Sequence, residues 1–165
     1  MPNHLLHELR RKYHHWMAVI FDNNIDEIAV RHVIWLAALE DEWGLLELGC
    51  RYATGQSMPK NPDIAMQYWQ RAFSKNGSFS KYSAANIADS YLRGVCVAQH
   101  PNEAMNWLKI AAELGHPESQ YNYGLAFVDG IDAEQNHAKG IEWLNLAAKA
   151  GVPEAVAVLQ KLGSI

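Results

Sequence analysis

Cysteine, long apolar runs and charge of one sign are all scarce in this chain of 165 residues. Its two cysteines, Cys50 and Cys96, are fewer than a small disulfide-stapled secreted scaffold would usually carry. No stretch approaches the roughly 18 apolar residues that a membrane-crossing helix needs. The opening segment, MPNHLLHELRRKYHHWMAVIF, begins apolar and then turns basic. It has neither the uninterrupted apolar core nor the small-residue cleavage site of a secretory leader. These features predict a cytoplasmic protein with reduced cysteines and no membrane insertion. The net charge of -4, with histidines neutral, gives no reason to expect nucleic acid as a partner. A glycine-rich phosphate loop, a Cys-x-x-Cys pair and a His-Glu-x-x-His motif are all missing. No cofactor and no catalytic residue are therefore expected.

What the chain does have is apolar residues at 49%, with six Trp and seven Tyr. That content can bury a core, which argues against wholesale disorder. Large rings suit both helix packing and binding surfaces.

Internal repetition organises the sequence. Segments starting at Leu48, Ile87 and Tyr123 superimpose, anchored by Gly55, Gly94 and Gly130. Gly94 and Gly130 are 36 residues apart, whereas Gly55 and Gly94 are 39 apart. Ten residues beyond each anchor stands a small residue: Ala65, Ala104 and Gly140. Three further on stands an aromatic: Tyr68, Trp107 and Trp143. The units therefore match through their second helix, and the three extra residues fall in the turn between Asn76 and Ser83. Such insertions cost little in loops. A period of this length at helical spacing predicts stacked helix pairs, an all-α chain of about seven to eight helices with no sheet.

Each first helix carries a small residue, an apolar residue four on, a second small residue, then an aromatic. In the second unit these are Ser83, Ile87, Ala88 and Tyr91; in the third, Ser119, Tyr123, Gly124 and Phe127. Paired small residues let a neighbouring helix approach closely. Second helices should open after Asn61-Pro62-Asp63 and His100-Pro101-Asn102. They should close at Asn76, Gly115 and Gly151, residue types that accept a left-handed conformation. An earlier partial unit is visible because Ala29 aligns with Ala104 and Gly49 with Gly124. A half unit, PEAVAVLQKL, follows the third. The expected organisation is an N-terminal amphipathic helical cap over residues 1–27 and a repeat array over 28–165, with divergent ends serving as caps.

These residues resemble the Sel-1-like repeat, a relative of the tetratricopeptide repeat, with Ser83 to Gly115 the best match. The resemblance implies a right-handed solenoid of antiparallel helix pairs, with adaptor or scaffold roles, often in bacteria. The family's second loop glycine is replaced by Ser57, Cys96 and Asp132, and its loop aspartate by Asn61, His100 and Asn136. Cys50 and Cys96 occupy different repeat positions, so the disulfide-rich subclass is not supported.

Two motifs point to chemical alternatives. Ser57-Met58-Pro59-Lys60 and Ser78-Phe79-Ser80-Lys81 match the S-x-x-K spacing of penicillin-recognising enzymes. Neither opens a helix, and the S-D-N and K-T-G companions are missing, so a hydrolase is disfavoured. His4, His7, His14 and His15 share the polar face of the N-terminal helix with Glu8, Arg10 and Arg11. A solvated face that charges below about pH 6.5 competes there with a metal pair formed by His4 and His7. No thiol or ordered carboxylate joins them, which favours the solvated face, so no metal site is expected.

By analogy with the family, first helices line the concave surface. Counting each first helix from its small residue (Gly44, Ser83, Ser119), positions 0, 4, 5 and 8 pack and positions 3, 6 and 10 point away. These positions hold Glu47, Cys50 and Thr54, then Asn86, Asp89 and Arg93, then Asn122, Leu125 and Asp129, with Tyr121 beside them; all but Thr54 make up the candidate partner-binding strip. The expected function is protein binding, as adaptor, scaffold or regulator. The alternative is a cognate inhibitor, such as an immunity protein, that neutralises one toxin or effector enzyme.

Overall fold

The computed structural model describes residues 26–130 and 135–163. Among the described residues are eight helices and no strand. They divide into two compact units, Met1–Ser80 and Lys81–Ile165. In the first, α1 (Asp26–Ala38), α2 (Glu42–Thr54) and α3 (Pro62–Ser74) pack in chain order. The second contains α5 (Pro101–Glu113), α6 (Pro117–Asp129), α7 (His137–Lys149) and α8 (Pro153–Lys161), again packed successively. Helix α4 (Ser80–Arg93) opens it. Of the expected N-terminal cap, only Asp26 and Glu27 are described, and they open α1; the histidine face at His4 to His15 lies outside the described residues.

Local chemistry explains where the helices start. Pro62, Pro101, Pro117 and Pro153 stand in first turns, where a missing N–H costs nothing and φ is already helical. The residues that replace the loop aspartate are caps. Asn61 accepts from the backbone N–H of Ile64, His100 from that of Glu103, and Asn136 from that of Lys139. Any of these side chains can supply the acceptor that a helix start requires. The same three residues close their loops identically. Their backbone N–H groups donate to the carbonyls of Tyr52, Tyr91 and Phe127 at 2.8, 2.9 and 2.8 Å. The closing hydrogen bond is therefore common to all three units despite the changes of cap residue.

Helix ends follow the expected pattern. Asn76, Gly115 and Gly151 take φ of 52°, 82° and 95°, left-handed values suited to Gly and Asn. The three inserted residues divide between two places. The turn before α4 spans residues 75–79, against 114–116 before α6, and α4 has 14 residues where α6 has 13.

Small residues set the helix crossings. A Cβ on Gly44 would stand 2.5 Å from Leu36 Cβ and 2.7 Å from the Ala37 nitrogen, so this glycine lets α2 meet α1. A Cβ on Gly140 would stand 2.6 Å from Val128 Cγ2 and 2.9 Å from the Gly124 carbonyl, marking the crossing of α6 and α7. Around these crossings lie Leu36, Leu45 and Trp69 in the first unit, and Leu144, Ala155 and Leu159 in the second. Each large apolar side chain so buried contributes about 1.5–3 kcal/mol.

The repeat position of Tyr68, Trp107 and Trp143 predicts core aromatics, and Trp143 packs against the buried cluster of Ala112, Tyr123 and Phe127. All three are only partly buried. Trp143 packs edge-on against Tyr123 at 5.3 Å, and Tyr68 stacks on Tyr52 at 5.8 Å. Among the described residues the buried tryptophan is the neighbouring Trp69, 5% exposed. Its ring occupies the space a Gly49 side chain would take, because a Cβ there would meet Trp69 Cδ1 at 2.5 Å.

Candidate protein-binding site

Within the second unit, two clefts open along the first helices. The first, of about 240 Å³, lies between α4 and α6. Tyr82, Asn86 and Asp89 form its α4 wall, Glu118 and Asn122 its α6 wall, and Leu108 contributes from α5. The second, of about 450 Å³, lies between α6 and the α7–α8 turn. Glu118, Tyr121 and Asn122 face Val152, Pro153 and Glu154 across it. Glu118 and Asn122 line both clefts and so form the wall between them. The two sites are spaced by the repeat itself, since Asn86 and Asn122 are 36 residues apart, as are Glu118 and Glu154.

Four of the nine strip residues named from sequence, Asn86, Asp89, Tyr121 and Asn122, line these clefts. Arg93 is engaged with Asp89 at 2.7 Å in an exposed i, i+4 ion pair. Tyr121 and Leu125 pack partly onto the core formed by Val128, Leu144 and Leu159. Asp129 is exposed at the end of α6. Glu47 and Cys50 belong to the first unit. There Glu47 pairs at 2.8 Å with Arg51, a cation only 1% exposed. Removing one partner of such a buried pair leaves the other charge uncompensated. Neither Cys50 nor Cys96 is in a disulfide.

His116, Glu118, Tyr82 and Glu154 were missed by the sequence reading. Tyr82, Glu118 and Glu154 all stand one residue before the small residue of their first helix. That position falls at about 260° on the helical wheel, inside the sector of about 240–300° that positions 3, 6 and 10 define, so the same periodicity could have found it. His116 is the N-cap of α6. Its Nδ1 accepts from the Ser119 backbone N–H at 3.3 Å and stands 2.9 Å from the Ser119 hydroxyl. The ring meets Tyr82 edge-on at 5.3 Å. Burial pushes its pKa below the usual histidine value, helped by Lys81 and opposed by Glu118, whose carboxylate is 3.5 Å from Nε2.

Among the described residues, no group of three His, Cys, Asp or Glu side chains is arranged to hold a metal ion. No described helix is long and apolar enough to cross a membrane. Ser57 and Ser78 both lie outside the helices, in turn segments.

The Sel1 repeat matches residues 44–77, 81–116 and 117–152. This chain belongs to the Sel1 repeat family. Sel1 repeats generally mediate protein–protein interaction. A Sel1 repeat protein from Oxalobacter formigenes is similar over 87% of the chain, with 23% identity and a TM-score of 0.77. A protective antigen of uropathogenic Escherichia coli with the same repeat fold is similar over 74%, with 28% identity and a TM-score of 0.67. Cysteine rich protein B of Helicobacter pylori is similar over 83%, with 18% identity and a TM-score of 0.62. The chain spans 58%, 26% and 98% of the lengths of these three proteins, respectively. No curated protein matches its sequence significantly.

Proposed function

We propose that this Sel1 repeat protein is a non-catalytic binding module, an adaptor or regulator, whose partner docks on the exposed strip of its first helices. One observation carries the reading. The side chains at positions 2, 3 and 6 of α4 (Ala85, Asn86, Asp89) and at positions 2 and 3 of α6 (Tyr121, Asn122) wall two adjoining clefts, and the repeat spacing sets their register. Surface side chains of this kind contribute little to folding. A polar strip broken by shaped depressions suits specific recognition, in which a few anchored contacts supply most of the energy.

Affinity capture with the full chain, followed by mass spectrometry, tests this directly. Parallel captures use Asp89→Lys and Asn122→Ala. A partner retained by the parent chain and lost from both folded variants supports the reading; one retained equally by all three overturns it. The capture also separates two regulatory roles. One stoichiometric toxin or effector enzyme would mark a cognate inhibitor of the immunity-protein kind, and several partners would mark a scaffold.

A further inference from the structure

We infer that the partner presents an extended, basic segment, with an arginine or lysine side chain seated in the cleft between α6 and the α7–α8 turn. This rests on the reading that the partner docks on the first-helix strip.

The chemistry of that cleft selects such a side chain. Its walls are apolar, built from Pro117, the Tyr121 ring, Val152 and Pro153, and both of its charged lining residues are acids, Glu118 and Glu154. Glu118 is 69% exposed and Glu154 is also exposed, so both carboxylates face solvent at the rim. A long cationic side chain satisfies both features at once. Its aliphatic stem lies along apolar surface while its head remains at the wet, acidic rim. The Tyr121 ring adds an attraction that only a cation gains.

An acidic partner residue would meet two carboxylates and be rejected, which gives specificity through repulsion. The glutamates also offset the partial positive charge of their helix starts. That role would be met without an apolar cleft between them, so it does not account for the arrangement. The neighbouring cleft is less suited to a cation. Asp89 is already paired with Arg93, and the Lys81 ammonium lies 5.2 Å from the centre of the Tyr82 ring. Leu108 and Ala85 add apolar surface beside these polar groups, enough for an aliphatic side chain to touch.

Repeat geometry constrains the backbone that could reach both clefts. The two clefts follow one another along α4, α6 and the start of α8, so an extended chain crossing these elements meets them in turn. In a polyproline II chain every third side chain points the same way, which makes i and i+3 the spacing to test. Asn86 and Asn122, at equivalent positions on the cleft walls, carry both donors and acceptors suited to its peptide groups.

Short fluorescent peptides on a proline-rich scaffold provide the test, titrated into the full chain and read by anisotropy. One carries arginine and leucine three residues apart, in either order, and a second has glutamate in place of the arginine. The arginine peptide should bind at least about tenfold more tightly, a difference of about 1.4 kcal/mol. Glu118→Gln combined with Glu154→Gln should erase that preference, with circular dichroism confirming an unchanged fold. Equal binding of the two peptides, a preference that survives the double variant, or no binding of the arginine peptide overturns the inference. If it fails while a captured partner is still lost from Asp89→Lys and Asn122→Ala, docking on the strip stands and only the basic segment is wrong. If those variants also retain the partner, both readings fall.

Discussion

The Ser80 hydroxyl donates to Glu42 Oε1 at 2.7 Å and accepts from the Gly77 backbone N–H at 3.0 Å. One side chain, 1% exposed, thus ties the longest inter-repeat turn to the start of α2. Ser80→Ala strands the Gly77 N–H and removes the donor to Glu42, so it should cost about 1–3 kcal/mol. Glu42→Gln keeps an acceptor and should cost less. Urea denaturation of both variants checks the order; a neutral Ser80→Ala would show that the turn does not depend on this link.

His116 makes stability depend on pH. Nδ1 can accept from Ser119 only while it is unprotonated, and burial already lowers the folded pKa below the unfolded value near 6.5. The folded state therefore binds fewer protons than the unfolded state in this range. The stabilisation is complete above about pH 6.5 and is lost as pH falls through the folded pKa. His116→Asn supplies a cap that does not titrate. Its urea midpoint should fall less than that of the parent between pH 7.5 and 5, and parallel curves would refute this origin.

Gly44→Ala should destabilise the first unit although alanine is the better helix former by about 1 kcal/mol. The new Cβ would lie 2.7 Å from the Ala37 nitrogen and 2.8 Å from the Leu36 carbonyl carbon. Backbone cannot rotate away as a side chain can, so α1 and α2 must separate. Overpacking of this kind costs about 1–3 kcal/mol. A thermal melt that rises on substitution would show that the helices part freely.

Trp69→Ala should cost about 3–5 kcal/mol, because it empties an enclosed site beside Gly49. Trp107→Ala should cost less, since that ring is partly exposed. Denaturant midpoints with unchanged m-values would rank the two; the reverse order would place the structural weight on the repeat's consensus aromatic.

Reversing the Asp89–Arg93 pair, by Asp89→Arg with Arg93→Asp, should leave stability within about 0.5 kcal/mol. The pair is exposed, with side chains 49% and 69% accessible. Partner affinity should nevertheless fall, since the charge presented by the α4 wall changes place. Tyr121→Ala is a less clean probe, because its ring also packs on the core beside Leu144. Calorimetric melts beside binding isotherms separate these effects; unchanged affinity in the folded reversal would remove this pair from the interface.

The repeat, the helix pairs and the packed positions were legible in the sequence because they depend on local spacing. Ser83, Ile87 and Ala88 recur with helical geometry, and all are buried. Asn76, Gly115 and Gly151 announce left-handed turns because few residue types tolerate positive φ. The cap at His100 was similarly visible from the proline that follows it. Part of the candidate strip was legible for the same reason, because side-chain direction on one helix follows from residue number.

Which of those side chains share a cleft was decided only by tertiary structure. Tyr82 and Glu118 are one repeat apart and meet across a cleft because α4 and α6 approach there. Trp69, rather than Tyr68, fills the space beside Gly49, and Ser80 reaches Glu42 across 38 positions of chain. These outcomes depend on helix separation and crossing, which no window of sequence contains. Periodicity within the chain determined the helices and their inward faces; the packing of one helix on another determined the clefts, their charge and the polar contacts that hold the turns.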